Sequence, residues 1–206
     1  MMTVAENAPT LWMVWPQQHL EIDLKPLQGL WTEQLYLKLT DQTNQLIEFT
    51  DGEIEVLPRP TRKHQVILAL LYELFVATVR PQGGLVLFSA LRMQIRPAKY
   101  REPDLLLLLD RNDIRNQDAF WLGADLVVEI VSPDDPERDT ITKRADYAEA
   151  NIPEYWIVNP LDQTITVLTL ADDRYIEHGL FQRGSQASSQ LLTGFSVDVD
   201  AIFDAQ

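Results

Sequence analysis

The 206-residue sequence contains no cysteine. That excludes disulfides, thiolate metal sites and a cysteine nucleophile together, and it fits a cytoplasmic location. Basic residues are few, 17 Lys and Arg against 31 Asp and Glu, for a net charge of −14. Proteins that bind nucleic acid ordinarily carry a basic face, because neutralising phosphates supplies most of the affinity. A nucleic-acid substrate here requires locally clustered basic residues, or charge from a partner or second subunit. Long apolar runs are absent: stretches such as Leu105–Leu109 are far too short to span a bilayer. Met1–Thr10 lacks the basic and apolar regions of a signal peptide. What is present is ordinary, 46% apolar and 23% charged residues, enough for one soluble domain with a real core.

Irregular apolar placement and Pro9, Pro16 and Pro26 mark residues 1–30 as a peripheral arm. Residues 31–206 read as a single domain. Trp31, Leu35 and Leu39 repeat at helical spacing. Asp51-Gly52 between two short β-like runs predicts a hairpin, and Pro58 and Pro60 end its second strand. His64–Arg80 reads as a helix stopped by Pro81 and Gly83-Gly84. Leu85–Ile95 and Pro103–Leu109 predict neighbouring strands joined through a turn at Pro97–Arg101, and Asp125–Val131 a third strand. Arg138–Asn151 returns to helical spacing, with Ile141, Ala145 and Ala148 on one face. Tyr155–Val158 and Thr164–Leu170 form a second hairpin about Asn159-Pro160, and a short helix is expected near Ala201. Helices interleaved with hairpins predict one mixed α/β domain.

Two acidic residues break the pattern of their strands. Asp104 opens a run of five leucines, and Glu129 stands inside Leu126-Val127-Val128-Glu129-Ile130-Val131. A carboxylate in a buried strand is expensive unless paired, hydrogen-bonded or metal-bound. Two of them on adjacent strands can share one hard cation, which polarises a phosphoryl oxygen and acidifies a bound water. Without a metal, Asp104 simply ends a strand, and Glu129 needs a buried salt bridge to an arginine such as Arg92 or Arg101. Lys143, four residues before Tyr147 on the following helix, can reach back toward Glu129 to orient a water or stabilise developing charge. Glu53 and His64 flank the hairpin exit and the helix start as additional ligands or supporting groups.

Pro103-Asp104 followed by Glu129 in an apolar strand resembles the PD-(D/E)xK nuclease superfamily. The stretch ADLVVEIVSPDDPERDTITKRADYAEANIPEYWIVNP, from Ala124 to Pro160, is similar to the Uma-two family of restriction-endonuclease-like proteins. The matching positions are Glu129, Ser132-Pro133, Arg138-Asp139, Lys143, Tyr147, Glu154-Tyr155-Trp156 and Asn159-Pro160. Asp51-Gly52-Glu53, His64-Gln65 and Pro103-Asp104 follow the family's order upstream. The superfamily's usual lysine would fall at Val131, so the resemblance moves that role to Lys143. Asn151 stands where a glycine is usual and tolerates the same left-handed backbone.

The resemblance implies a restriction-endonuclease-like core, a central mixed β-sheet flanked by helices, with Mg²⁺ or Mn²⁺ and a DNA substrate. Asp104 and Glu129 become metal ligands, Lys143 the catalytic ammonium and Glu53 a further acidic contributor, with His64 and Tyr147 behind them. Analogy adds a homodimer, since restriction-type enzymes often cut two strands with two subunits. The acidic charge keeps two other functions open: a catalytically inactive nuclease-fold binding or scaffold module, and hydrolysis of a small phosphorylated substrate.

Overall fold

The structure, a computed structural model, describes residues 10–15 and 18–206, with side chains from residue 23 onward. Along the chain run β1 (Thr10–Trp15), β2 (Gln18–Asp23), α1 (Glu33–Thr40), β3 (Ile47–Thr50), β4 (Glu53–Val56), α2 (Arg62–Val79), β5 (Leu85–Phe88), β6 (Met93–Arg96) and β7 (Lys99–Arg101). There follow β8 (Leu105–Leu108), β9 (Leu126–Ile130), α3 (Lys143–Glu149), β10 (Glu154–Asn159), β11 (Thr164–Ala171), β12 (Arg174–Phe181), β13 (Gln186–Ser188), β14 (Ser196–Asp198) and α4 (Val199–Asp204). The chain divides into two compact units, residues 1–59 with 97–101, and residues 60–96 with 102–206. Residue 30, the expected end of an arm, lies within the first. Pro9, Pro16 and the side chains of Leu11–Trp15 lie outside the described residues.

In the smaller unit β1 pairs with β2, and β3 pairs with both β4 and β7, all antiparallel. The β3–β4 hairpin turns at Asp51 (φ 49°) and Gly52 (φ 96°). Both lie in the left-handed region that a two-residue hairpin demands, which is why Asp-Gly forms it. Lys99–Arg101, expected as a turn, is a strand instead: the chain turns earlier, at Ala98 (φ 62°). The Ala98 carbonyl then accepts the Asp51 N–H at 2.8 Å.

The larger unit is organised by a six-stranded sheet of order β12-β11-β10-β9-β8-β5. Only the β9–β10 pair is parallel, so the sheet is mixed. Helix α2 begins at Arg62 because the Thr61 side chain accepts the His64 N–H, an N-cap. Its Ile67, Leu71 and Phe75 pack with Leu105, Leu107, Val128 and Trp156 on one sheet face. The opposite face gathers Leu106, Leu108, Val127, Val131, Tyr147 and Tyr155. Successive strand residues point to opposite faces, so β8 and β9 need apolar residues at both parities and read as continuous runs.

The expected strand Leu85–Ile95 is broken after Phe88. Phe88 pairs with Leu105, the first residue of β8, and beyond it the Ser89 N–H reaches the Asp104 carbonyl at 3.1 Å. Neither β12 nor β13 was expected from periodicity. Strand β12 lies at the sheet edge, with Ile176 and Leu180 exposed and Tyr175 buried, which inverts the usual apolar-inward alternation.

Candidate active site

Leu105↔Val128 is the last regular pair between β8 and β9, and one further step of that register sets Asp104 across from Glu129. Alternation puts both on the face shared by Leu106, Val127 and Val131, the face that α3 covers. Directly opposed residues on antiparallel strands hold their Cβ atoms roughly 4.5–5.5 Å apart. The Asp104 Oδ2 accepts the Ile130 N–H at 2.8 Å and lies 3.0 Å from His64 Nε2 in the first turn of α2. Two anchors on one oxygen leave Oδ1 outside this network.

Over Glu129 lies an unusual helical segment. Arg138–Thr142 is one turn of π-helix, running directly into α3. Ile141 and Ala145, set on one face by their spacing, are exposed, Ile141 by 63%. The buried side is the polar one: Asp139, Lys143, Asp146 and Tyr147. Apolar spacing misleads here because the sheet beneath presents carboxylates, and charged side chains must meet them. The Lys143 Nζ lies 2.8 Å from Glu129 Oε1 and 3.2 Å from Asp139 Oδ1. The Tyr147 hydroxyl donates to the same Glu129 Oε1. The Tyr155 hydroxyl donates to the Asp139 main-chain carbonyl at 2.7 Å, and the two tyrosine rings meet edge to face.

Burial pushes the Glu129 carboxyl up to about 8; the Lys143 ammonium opposes the shift, and the charges of Asp104 and Asp139 add to it. Asp139 is raised for the same leading reason, again against Lys143. Burial, then the Glu129 and Asp139 charges, hold Tyr155 far above its ordinary range, so it stays a neutral donor. The cluster thus sets the carboxyls of Glu129 and Asp139 on one ammonium, with the Asp104 charge close enough to act on both.

The donor set fits a divalent cation of the Mg²⁺ type. Among the described residues no three His, Cys, Asp or Glu side chains form a closed cage. Magnesium, however, is commonly held by one or two carboxylates, with waters and substrate oxygens completing the octahedron. Asp104 and Glu129 each commit one oxygen to protein contacts, Oδ2 and Oε1, and a cation between the opposed carboxyls would offset the excess negative charge.

Asp104, Glu129, Lys143, His64 and Tyr147 therefore belong to one cluster in the larger unit. Glu53 lies in the smaller unit, exposed at the start of β4. The salt-bridge partner expected for Glu129 was Arg92 or Arg101; Lys143 holds that place, while Arg101 pairs with Glu48 at 3.4 Å. Asp139 was not singled out as a site residue. Its signal was the four-residue spacing to Lys143, which puts both on one helix face. Glu154-Tyr155-Trp156 is scaffolding at the start of β10. Glu154 is fully buried and accepts from Trp156 Nε1, Ser189 Oγ and the N–H groups of Gln190 and Leu191 at 2.6–2.8 Å. Asn151 has φ 55°, the left-handed backbone expected at the end of α3.

A mixed sheet with opposed carboxylates at a strand end and a lysine on the next helix defines a restriction-endonuclease-like domain. The family model for Uma2, described as "Putative restriction endonuclease", matches residues 32–200, and the chain belongs to that family. Among solved structures it is similar to a "putative nuclease belonging to DUF820" from Anabaena variabilis, with a TM-score of 0.67 and 17% identity. That likeness covers 81% of this chain and 96% of the other, and shows the shared fold. No curated protein matches the chain in sequence. Among the described residues no helix is long and apolar enough to cross a membrane.

Proposed function

We propose that the protein is a divalent-metal-dependent endonuclease that hydrolyses phosphodiester bonds in DNA. The geometry that carries this function is the placement of Asp104 and Glu129 one step beyond the last β8–β9 pair, Leu105↔Val128, with the Lys143 ammonium 2.8 Å from Glu129. Family membership supports nuclease chemistry, and the donor set supports Mg²⁺ or Mn²⁺. When bound, the cation supplies Lewis-acid polarisation of the phosphoryl group and a more acidic water. Asp104 and Glu129 would hold it, and the anchors on Asp104 Oδ2 from Ile130 and His64 fix that carboxylate in place. Lys143 orients the attacking water and offsets charge that develops on the phosphoryl oxygens. Tyr147 orients Glu129 through its hydroxyl.

Purified protein with Mg²⁺ or Mn²⁺ is expected to nick supercoiled plasmid, and Glu129→Ala and Lys143→Ala to abolish nicking. Cleavage that survives both changes contradicts this mechanism. The net charge of −14 favours a second function, a nuclease-fold scaffold without catalysis. That alternative predicts neither nicking nor saturable binding of Mn²⁺.

A further inference from the structure

Asp139 takes no part in the function as stated above, yet it is buried beside the lysine that does. We propose that Asp139 is a positioning residue: anchored by Tyr155 through its main-chain carbonyl, its carboxylate fixes the Lys143 ammonium against Glu129. The inference rests on the hydrolytic role proposed for Lys143.

Three observations carry it. Lys143 Nζ meets carboxylates on two elements, Glu129 on β9 and Asp139 in the π-helical turn. A flexible four-carbon side chain gripped at its tip from two directions has one orientation in place of many. Asp139 is itself tied down, because Tyr155 sits on β10, the parallel neighbour of β9, and pairs with Val127. One hydrogen bond thus references the turn to the strand that carries Glu129. The π-helical turn is the third, since such turns inside helices occur frequently at functional sites.

Stability does not account for the arrangement. Lys143 faces two buried carboxylates at once, and the Arg138 charge offsets only part of the negative excess that Asp139 adds. Asp139 therefore works against folding at the place where it orients the lysine, as residues kept for function commonly do.

The test compares wild type with Asp139→Asn, which keeps shape and removes charge, and Asp139→Glu. Asp139→Asn is expected to lower the plasmid-nicking rate at saturating Mn²⁺ by about 10- to 100-fold. Mn²⁺ affinity and melting temperature should not fall, and Asp139→Glu should recover part of the rate. In metal-free protein carrying ¹⁵N-lysine, wild type should show a slowly exchanging ammonium resonance from Lys143, assigned by its loss in Lys143→Arg. That resonance should broaden or vanish in Asp139→Asn. An unchanged resonance, or a wild-type nicking rate, overturns the inference. So does a loss of Mn²⁺ affinity as large as the loss of rate, which marks Asp139 as a ligand. If wild type does not nick at all, the hydrolytic reading fails, and the metal-free resonance still decides whether Asp139 positions the lysine.

Discussion

Asp104 stands across from Glu129, one residue beyond the Leu105↔Val128 pair, and its Oδ2 accepts the Ile130 N–H at 2.8 Å. The side chain thus takes a backbone donor of β9, while the Asp104 main-chain carbonyl accepts the Ser89 N–H at 3.1 Å.

The buried acids predict an inverted pH dependence of stability in metal-free protein. Burial raises Glu129 from 4.5 to about 8 and raises Asp139 as well. Between the unfolded and folded pKa values the native state holds the extra protons, so stability falls as pH rises through that window. Thermal melts without divalent metal should show a melting temperature that declines from about pH 5 to about pH 8. Glu129→Gln should flatten that decline, and a slope equal to wild type contradicts the assignment.

Removing the ammonium leaves its two carboxylate partners uncompensated. Lys143→Met should cost about 3–5 kcal/mol at pH 8, the usual loss when one partner of a buried pair is deleted. Glu129 and Asp139 can escape by taking up protons, so the loss should shrink toward pH 5. Urea unfolding of wild type and variant at both pH values checks this, and a pH-independent loss speaks against the network.

Glu154 predicts a purely structural defect. Its two oxygens accept from Trp156, Ser189, Gln190 and Leu191, which ties the loop after β13 to the edge of β10. Glu154→Gln turns an amide donor toward those donors and should cost about 2–3 kcal/mol. Mn²⁺ affinity of the folded protein should not change, and a specific loss of metal binding contradicts the scaffolding role.

Much of the fold was legible because its elements are locally signalled. Asp51-Gly52 demands a hairpin, Thr61 caps α2, and the apolar runs Leu105–Leu108 and Leu126–Ile130, the second interrupted only by Glu129, announce strands buried on both faces. Edge strand β12 was not legible, because an exposed ladder places little constraint on side chains. Glu129 stood out because an acid inside an apolar strand is costly. Lys143 and Asp139 did not, because charge on a helix ordinarily faces solvent, and only the fold shows that α3 turns its polar side inward. The family resemblance pointed to Lys143; the geometry adds the second carboxylate that shares its ammonium.

The central claim is that Asp104 and Glu129 share one divalent cation. Calorimetric titration of metal-free protein with Mn²⁺ at pH 8 tests it most directly, with Asp104→Asn and Glu129→Gln alongside. The account predicts one saturable site per chain in wild type and its loss in both folded variants. Absence of binding to wild type, or binding undiminished in both variants, would contradict it.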